Sequence, residues 1–133
     1  MVSAKAAQQP LAHGGLTKRI IGAAIYVHKT LGPGFIESVY HNAMCLTLDK
    51  RGIVFDKEFE VPVVFEGVEV GLHRLDLVVE DKVVVELKAC SRIEARHVNV
   101  VGSYLAATGI DFALVLNFGG STVEIRRVVR KGV

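Results

Sequence analysis

Arg-Leu-Asp-Leu-Val-Val-Glu-Asp-Lys-Val-Val-Val-Glu-Leu-Lys-Ala, Arg74 to Ala89, is the stretch that decides the reading of this chain. Two apolar runs flank the charged triplet Glu80-Asp81-Lys82, which marks a turn between two strands. Glu86 and Lys88 are two residues apart, so on a strand they point to the same face. Both faces of their run are apolar, and a buried charge is costly unless it is paired or holds a metal. With Asp81 at the hairpin midpoint, 79 faces 83, 78 faces 84 and 76 faces 86. Asp76 and Glu86 then stand cross-strand on one face, their Cβ atoms roughly 4.5–5.5 Å apart.

Two carboxylates that close repel each other and raise one pKa. Lys88 relieves this in part. A divalent cation relieves it better, because carboxylate oxygens are hard ligands suited to Mg²⁺, which keeps waters and also takes substrate phosphate. A metal held by Asp76 and Glu86 can activate a water and stabilise charge on a phosphodiester oxygen. Lys88 beside it can orient or deprotonate that water, or stabilise the charged transition state. The other reading of the same residues is a surface hairpin with an Asp–Lys–Glu ion cluster. The apolar neighbours Val78 and Val84 argue against a solvated face.

The chain has 133 residues, half of them hydrophobic and 23% charged, which suits one soluble globular domain. A formal charge of +2 neither demands nor excludes nucleic acid, so any basic surface comes from local clusters such as Lys50-Arg51 or Arg126-Arg127. Cys45 and Cys90 form no metal-ligand spacing and suit reduced thiols in a cytoplasm. No stretch approaches the roughly 20 apolar residues of a membrane helix, and the start has no signal-peptide pattern. The mean hydropathy of +0.38 favours homo-oligomerisation.

Residues 1–15 read as a loose tail, and 16–133 as one domain. Leu16, Ile20, Ala23, Ala24, Val27 and Leu31 form one helical stripe, with Thr17 as a cap and Gly32-Pro33-Gly34 as the stop. A second helix is expected from Ile36 to Arg51, with Val39, Ala43, Leu46 and the Lys50 stem on its buried side. Extended segments follow at 53–65, 68–79 and 82–89, with Pro62 marking a bend or an edge strand and Glu66-Gly67 a turn. A third helix spans 93–108 and ends at Gly109; strands at 112–118 and 122–129 flank the Gly119-Gly120 turn. The order is α-α-β-β-β-α-β-β.

The second helix opens with Gly34-Phe35-Ile36-Glu37-Ser38-Val39-Tyr40, a Gly-x-x-Glu-x-x-Tyr string. Together with Arg74-Leu-Asp76, Glu86-Leu-Lys88-Ala and Tyr104-Leu-x-Ala-Thr-Gly109, it resembles the bacterial GxxExxY protein family, placed in the PD-(D/E)XK nuclease-like superfamily. The resemblance covers about Thr17 to Val129. It implies an α/β, restriction-endonuclease-like core, a mixed central β-sheet flanked by helices. It implies a nuclease hydrolysing DNA with Mg²⁺ or Mn²⁺, in which Asp76, Glu86, Glu37 and the Leu87 carbonyl ligate metal and Lys88 is the catalytic lysine. Tyr40, Arg74, His97 and Tyr104 are the expected substrate-side residues. In one place the chain departs from the pattern. Family members tend to carry Gln four residues before the third-helix Tyr; here Val100 stands there, and the neighbouring Asn99 is rotated by about 100° around the helix. A second reading is therefore a weak or inactive nuclease fold acting in nucleic-acid binding or homo-oligomeric assembly. His28 reads as a structural histidine and His73 as a surface one. Gly32-Pro33-Gly34 lacks the Gly-Lys-Ser/Thr of a phosphate-binding loop.

Overall fold

A computed structural model describes residues 13–133. Its elements are α1 (Gly14–Leu31), α2 (Glu37–Lys50), β1 (Phe55–Phe65), β2 (Val68–Val79), β3 (Val83–Lys88), α3 (Ala95–Thr108), β4 (Phe112–Asn117) and β5 (Glu124–Val129). The expected order holds. Most of the expected tail lies outside the described residues, and Gly14 and Gly15 already belong to the first turn of α1. Thr17 is not the cap of that helix: it is buried within it, and His13 occupies the cap position.

The five strands form one sheet in the order β1-β2-β3-β4-β5. Only β3 and β4 run parallel; the other neighbours are antiparallel. The parallel pair is reached through α3, the crossover such a pair requires. Alternation along β3 and β4 sends Val83, Val85, Leu87, Leu114 and Leu116 into one core with α1 and α2. Val84, Ala113 and Val115 go into a second core under α3. The sheet is thus covered on both faces, which explains why its central strands read as unbroken apolar runs. Glu86 and Lys88 alternate with Val85 and Leu87 and so face α3.

On α2 the buried stripe differs from the expected one. Tyr40, Met44 and Leu48 are fully buried, whereas Leu46 is 57% exposed. The i, i+4, i+8 row through Tyr40 wins because Tyr40 stacks on Phe118, with ring centroids 4.8 Å apart, which sets the rotation of the helix. Two glycines have physical necessity here. Gly34 adopts φ +105°, a region that L side chains avoid, just before α2. At Gly119 a Cβ would sit 1.9 Å from the Cys90 carbonyl oxygen, so only glycine lets the turn after β4 press against the end of β3.

The hairpin of β1 and β2 is long and irregular in two places: its register shifts between Val63 and Val64, and its pleat breaks nearer the site. Leu75 packs under α3, yet Leu77, two residues on, packs toward α1 and α2. The break lies at Asp76. Lys57 pairs with Leu77 and Phe59 with Leu75, but Glu58 and Asp76 are not paired, and Glu58 takes φ +51°. Pro62 lies on the edge strand β1, where a missing N–H is tolerated.

Candidate active site

Asp76 and Glu86 meet where the β2–β3 ladder ends. The turn is the expected three residues, and the register runs Val79↔Val83, Val78↔Val84, Leu77↔Val85. Beyond that pair the strands part, and side chains replace ladder bonds. Asp76 Oδ2 accepts from the Leu87 N–H at 2.8 Å. Glu86 Oε1 accepts from the Asp76 N–H at 3.5 Å. On its other side the Asp76 carbonyl faces His41 Nε2 of α2 at 3.4 Å. Asp76 is therefore released from both neighbouring strands, and its carboxylate stands beside that of Glu86. Backbone irregularity of this kind concentrates at functional sites.

The electrostatics follow from burial. Glu86 is only 7% exposed. Desolvation first, and then the Asp76 charge, push its carboxyl up to about 8, against the pull of Lys88. Burial also raises Asp76, opposed by the Leu87 N–H, His41 and Lys88. Glu37, in the first turn of α2, is raised by burial and feels Lys88, Asp76 and His41. Tyr104 is pushed up to about 12 by burial and by Glu86 and Asp76, so its hydroxyl keeps its proton.

Glu86, Lys88, Arg96, His97, Val100 and Tyr104 line a cleft of about 270 Å³ between the sheet and α3. His97 also caps α3: its Nδ1 accepts from the Glu94 N–H at 2.9 Å, which leaves the ring proton on Nε2. Burial holds its pKa below the usual histidine value, with Arg96 and Lys88 acting in the same direction. Asn117 fixes the end of β3 just past Lys88. It is 1% exposed. Its Oδ1 accepts from the Cys90 N–H at 2.9 Å, and its Nδ2 donates to the Cys90 carbonyl at 2.9 Å and to Glu124 Oε1 at 3.1 Å.

The structure gathers Asp76, Glu86, Lys88, His97 and Tyr104, and it sets Glu37 close enough to act on their charges. Two expected substrate contacts move elsewhere. Tyr40 is fully buried; its hydroxyl donates to the Gly32 carbonyl at 2.6 Å and accepts from the Phe35 N–H at 3.3 Å. In Gly-x-x-Glu-x-x-Tyr, then, the glycine makes the turn, the tyrosine latches it, and the glutamate is presented to the site. Arg74 is exposed and paired with Glu60 at 3.0 Å. It alternates with His73, which stacks edge-on against Tyr104 at 4.8 Å, so Arg74 points away from α3 and the cleft. Of Leu87 it is the N–H that the site engages. Sequence reasoning missed His41, Arg96 and Asn117. His41 had a signal, four residues after Glu37 and hence on the same helix face; the other two had none.

A Mg²⁺ or Mn²⁺ ion fits the donor set. A crowded, buried carboxylate pair is what a hard cation relieves, and Mg²⁺ commonly takes only one or two carboxylates and completes its shell with water and phosphate. Among the described residues, no three His, Cys, Asp or Glu side chains are grouped to hold a metal. Glu37 is thus a neighbour of the carboxylate pair rather than a third member of a preformed cage.

Comparison with known proteins decides the family. The family model described as PD-(D/E)XK nuclease superfamily matches residues 15–128. The chain belongs to the PD-(D/E)XK nuclease superfamily. Nucleases of this superfamily generally use divalent metals. Among solved structures, the one described as "Crystal structure of SSO0001" superposes with a TM-score of 0.57 at 12% identity, over 92% of this chain and 62% of that one. The chain thus spans less than two thirds of that structure's length, and the likeness is one of fold. No curated protein matches the sequence. No helix among the described residues is long and apolar enough to cross a membrane.

Proposed function

We propose that this superfamily member is a divalent-metal-dependent nuclease that hydrolyses DNA phosphodiester bonds. The observation that carries the reading is the released Asp76. A strand gives up its backbone pairing at one residue and presents that residue's carboxylate to a second buried one, with a lysine beside them. Asp76 and Glu86 are the groups that would hold Mg²⁺ or Mn²⁺, with Glu37 adding negative charge nearby. When bound, such an ion lowers the pKa of a water and stabilises charge on the phosphoryl oxygens.

The chain's own residues do the rest. The Leu87 N–H fixes the Asp76 carboxylate by bonding its Oδ2. Lys88, on the Glu86 face, supplies a positive charge and a proton donor to the attacking water or to the phosphate oxygens. His97 Nε2–H and the Tyr104 hydroxyl are neutral donors on the α3 wall of the cleft, suited to orienting a phosphate. The two free thiols suit a reducing cytoplasm.

Purified protein should nick supercoiled plasmid with Mg²⁺ or Mn²⁺ and not with EDTA, and Asp76→Ala and Lys88→Ala should each abolish nicking. Activity that persists in both variants would overturn the assignment. A second reading, DNA binding on a nuclease scaffold without efficient cleavage, is favoured by Val100. It is 46% exposed at the cleft, where the family resemblance calls for an amide. Metal-dependent binding without cleavage would support that reading.

A further inference from the structure

The far end of the β1–β2 hairpin carries apolar side chains that nothing in the fold covers. Phe65 is 63% exposed and Val68 61%, on either side of the Glu66-Gly67 turn; Val70 and Leu72 follow at 59% and 55%. Together these four expose roughly 400 Å², the size of the largest apolar patch on a typical monomer, which is often functional. The charged residues set among them, Glu66 and Glu69, have one sign. That composition repels a phosphate backbone and an anionic membrane alike.

The complement of this surface lies elsewhere on the same chain. Between the C-terminal halves of α1 and α2 runs an open, mainly apolar groove of about 410 Å³. Its floor and rim include Tyr26 and Leu46, which are 54% and 57% exposed, and one end carries Lys50 and Arg51. Arg51 lies over the Tyr26 ring, 5.2 Å from its centroid. An apolar tip flanked by two acids thus matches an apolar groove with two bases at one end.

We infer that the Phe65–Val68 hairpin tip of one copy of the protein docks in the α1–α2 groove of a second copy, with Glu66 and Glu69 against Lys50 and Arg51. Edge-to-edge pairing of β1 is not the mode, because Pro62 removes a backbone donor in the middle of that strand. Docked reciprocally, the two contacts close as a dimer.

The test is charge reversal, read by analytical ultracentrifugation of the full chain. Wild type should self-associate. The pair Glu66→Lys, Glu69→Lys and the pair Lys50→Glu, Arg51→Glu should each weaken association at least about tenfold through like-charge contact. All four positions are exposed, and unchanged thermal melts show that each variant folds. Mixed one to one, the two variants should form a hetero-dimer, because each then meets the opposite charge. A monomeric wild type at about 100 µM, roughly the affinity limit for a weak specific contact, overturns the proposal. So does association insensitive to the groove reversal, which would mean tip-to-tip contact, or association that appears only with DNA, or a mixture that stays monomeric. None of these outcomes depends on whether the protein cuts DNA.

Discussion

Glu86→Gln should raise the stability of this protein above neutral pH and gain nothing near pH 4. The wild-type carboxyl is 7% exposed, and burial and Asp76 push it up to about 8 from its usual 4.5. The folded state therefore keeps the Glu86 proton at pH values where the unfolded chain has already lost it. Between about 4.5 and about 8 the wild-type protein loses stability as pH rises, by about 1.4 kcal/mol for each pH unit. The whole window amounts to something on the order of 4–5 kcal/mol, roughly 12–15 °C in melting temperature for a chain of this size. Asp76 is raised as well, and it titrates together with Glu86 as one pair. Glutamine has the shape and no charge, so its profile should be flatter. Melts followed by circular dichroism in EDTA from pH 4 to 9 give the comparison. Parallel profiles for wild type and Glu86→Gln would refute the claim that a buried, repelled carboxylate sits at this position.

Asn117→Ala should cost about 1–3 kcal/mol, because it strands the Cys90 N–H and carbonyl in a half-buried loop; chemical denaturation measures it. Tyr40→Phe should cost about 1–2 kcal/mol, through the Gly32 and Phe35 bonds, and leave cleavage unchanged, since the hydroxyl latches a turn and never reaches the cleft. Val100→Gln should raise cleavage or DNA affinity by restoring an amide to the cleft wall, with no loss of folding because the position is 46% exposed; plasmid nicking and fluorescence anisotropy report both.

The fold was legible in the sequence wherever one period dominated. The three-residue turn at Glu80-Asp81-Lys82 sets the register, which holds for the three pairs next to the turn; beyond them side-chain bonds, not the ladder, join Asp76 to β3. The pleat break at Asp76 was not legible. Period-2 alternation assumes an unbroken strand, and the unpaired Glu58 has no sequence mark. The same break separates Arg74 from Asp76: a regular strand would put both on one face, whereas Arg74 faces away from the cleft. On α2 several i, i+4 rows are apolar, and only the stacking of Tyr40 on Phe118, far along the chain, chooses among them. His41 and Asn117 act through backbone carbonyls and amides that tertiary structure alone brings near.

Asp76 and Glu86 should together hold one divalent cation. An anomalous-difference map from crystals soaked in Mn²⁺ tests it most directly. The predicted result is a peak shared by the Asp76 and Glu86 carboxylates on the Lys88 side of β3, lost in Glu86→Gln. A map with no peak there, or a peak that survives Glu86→Gln unchanged, would contradict it.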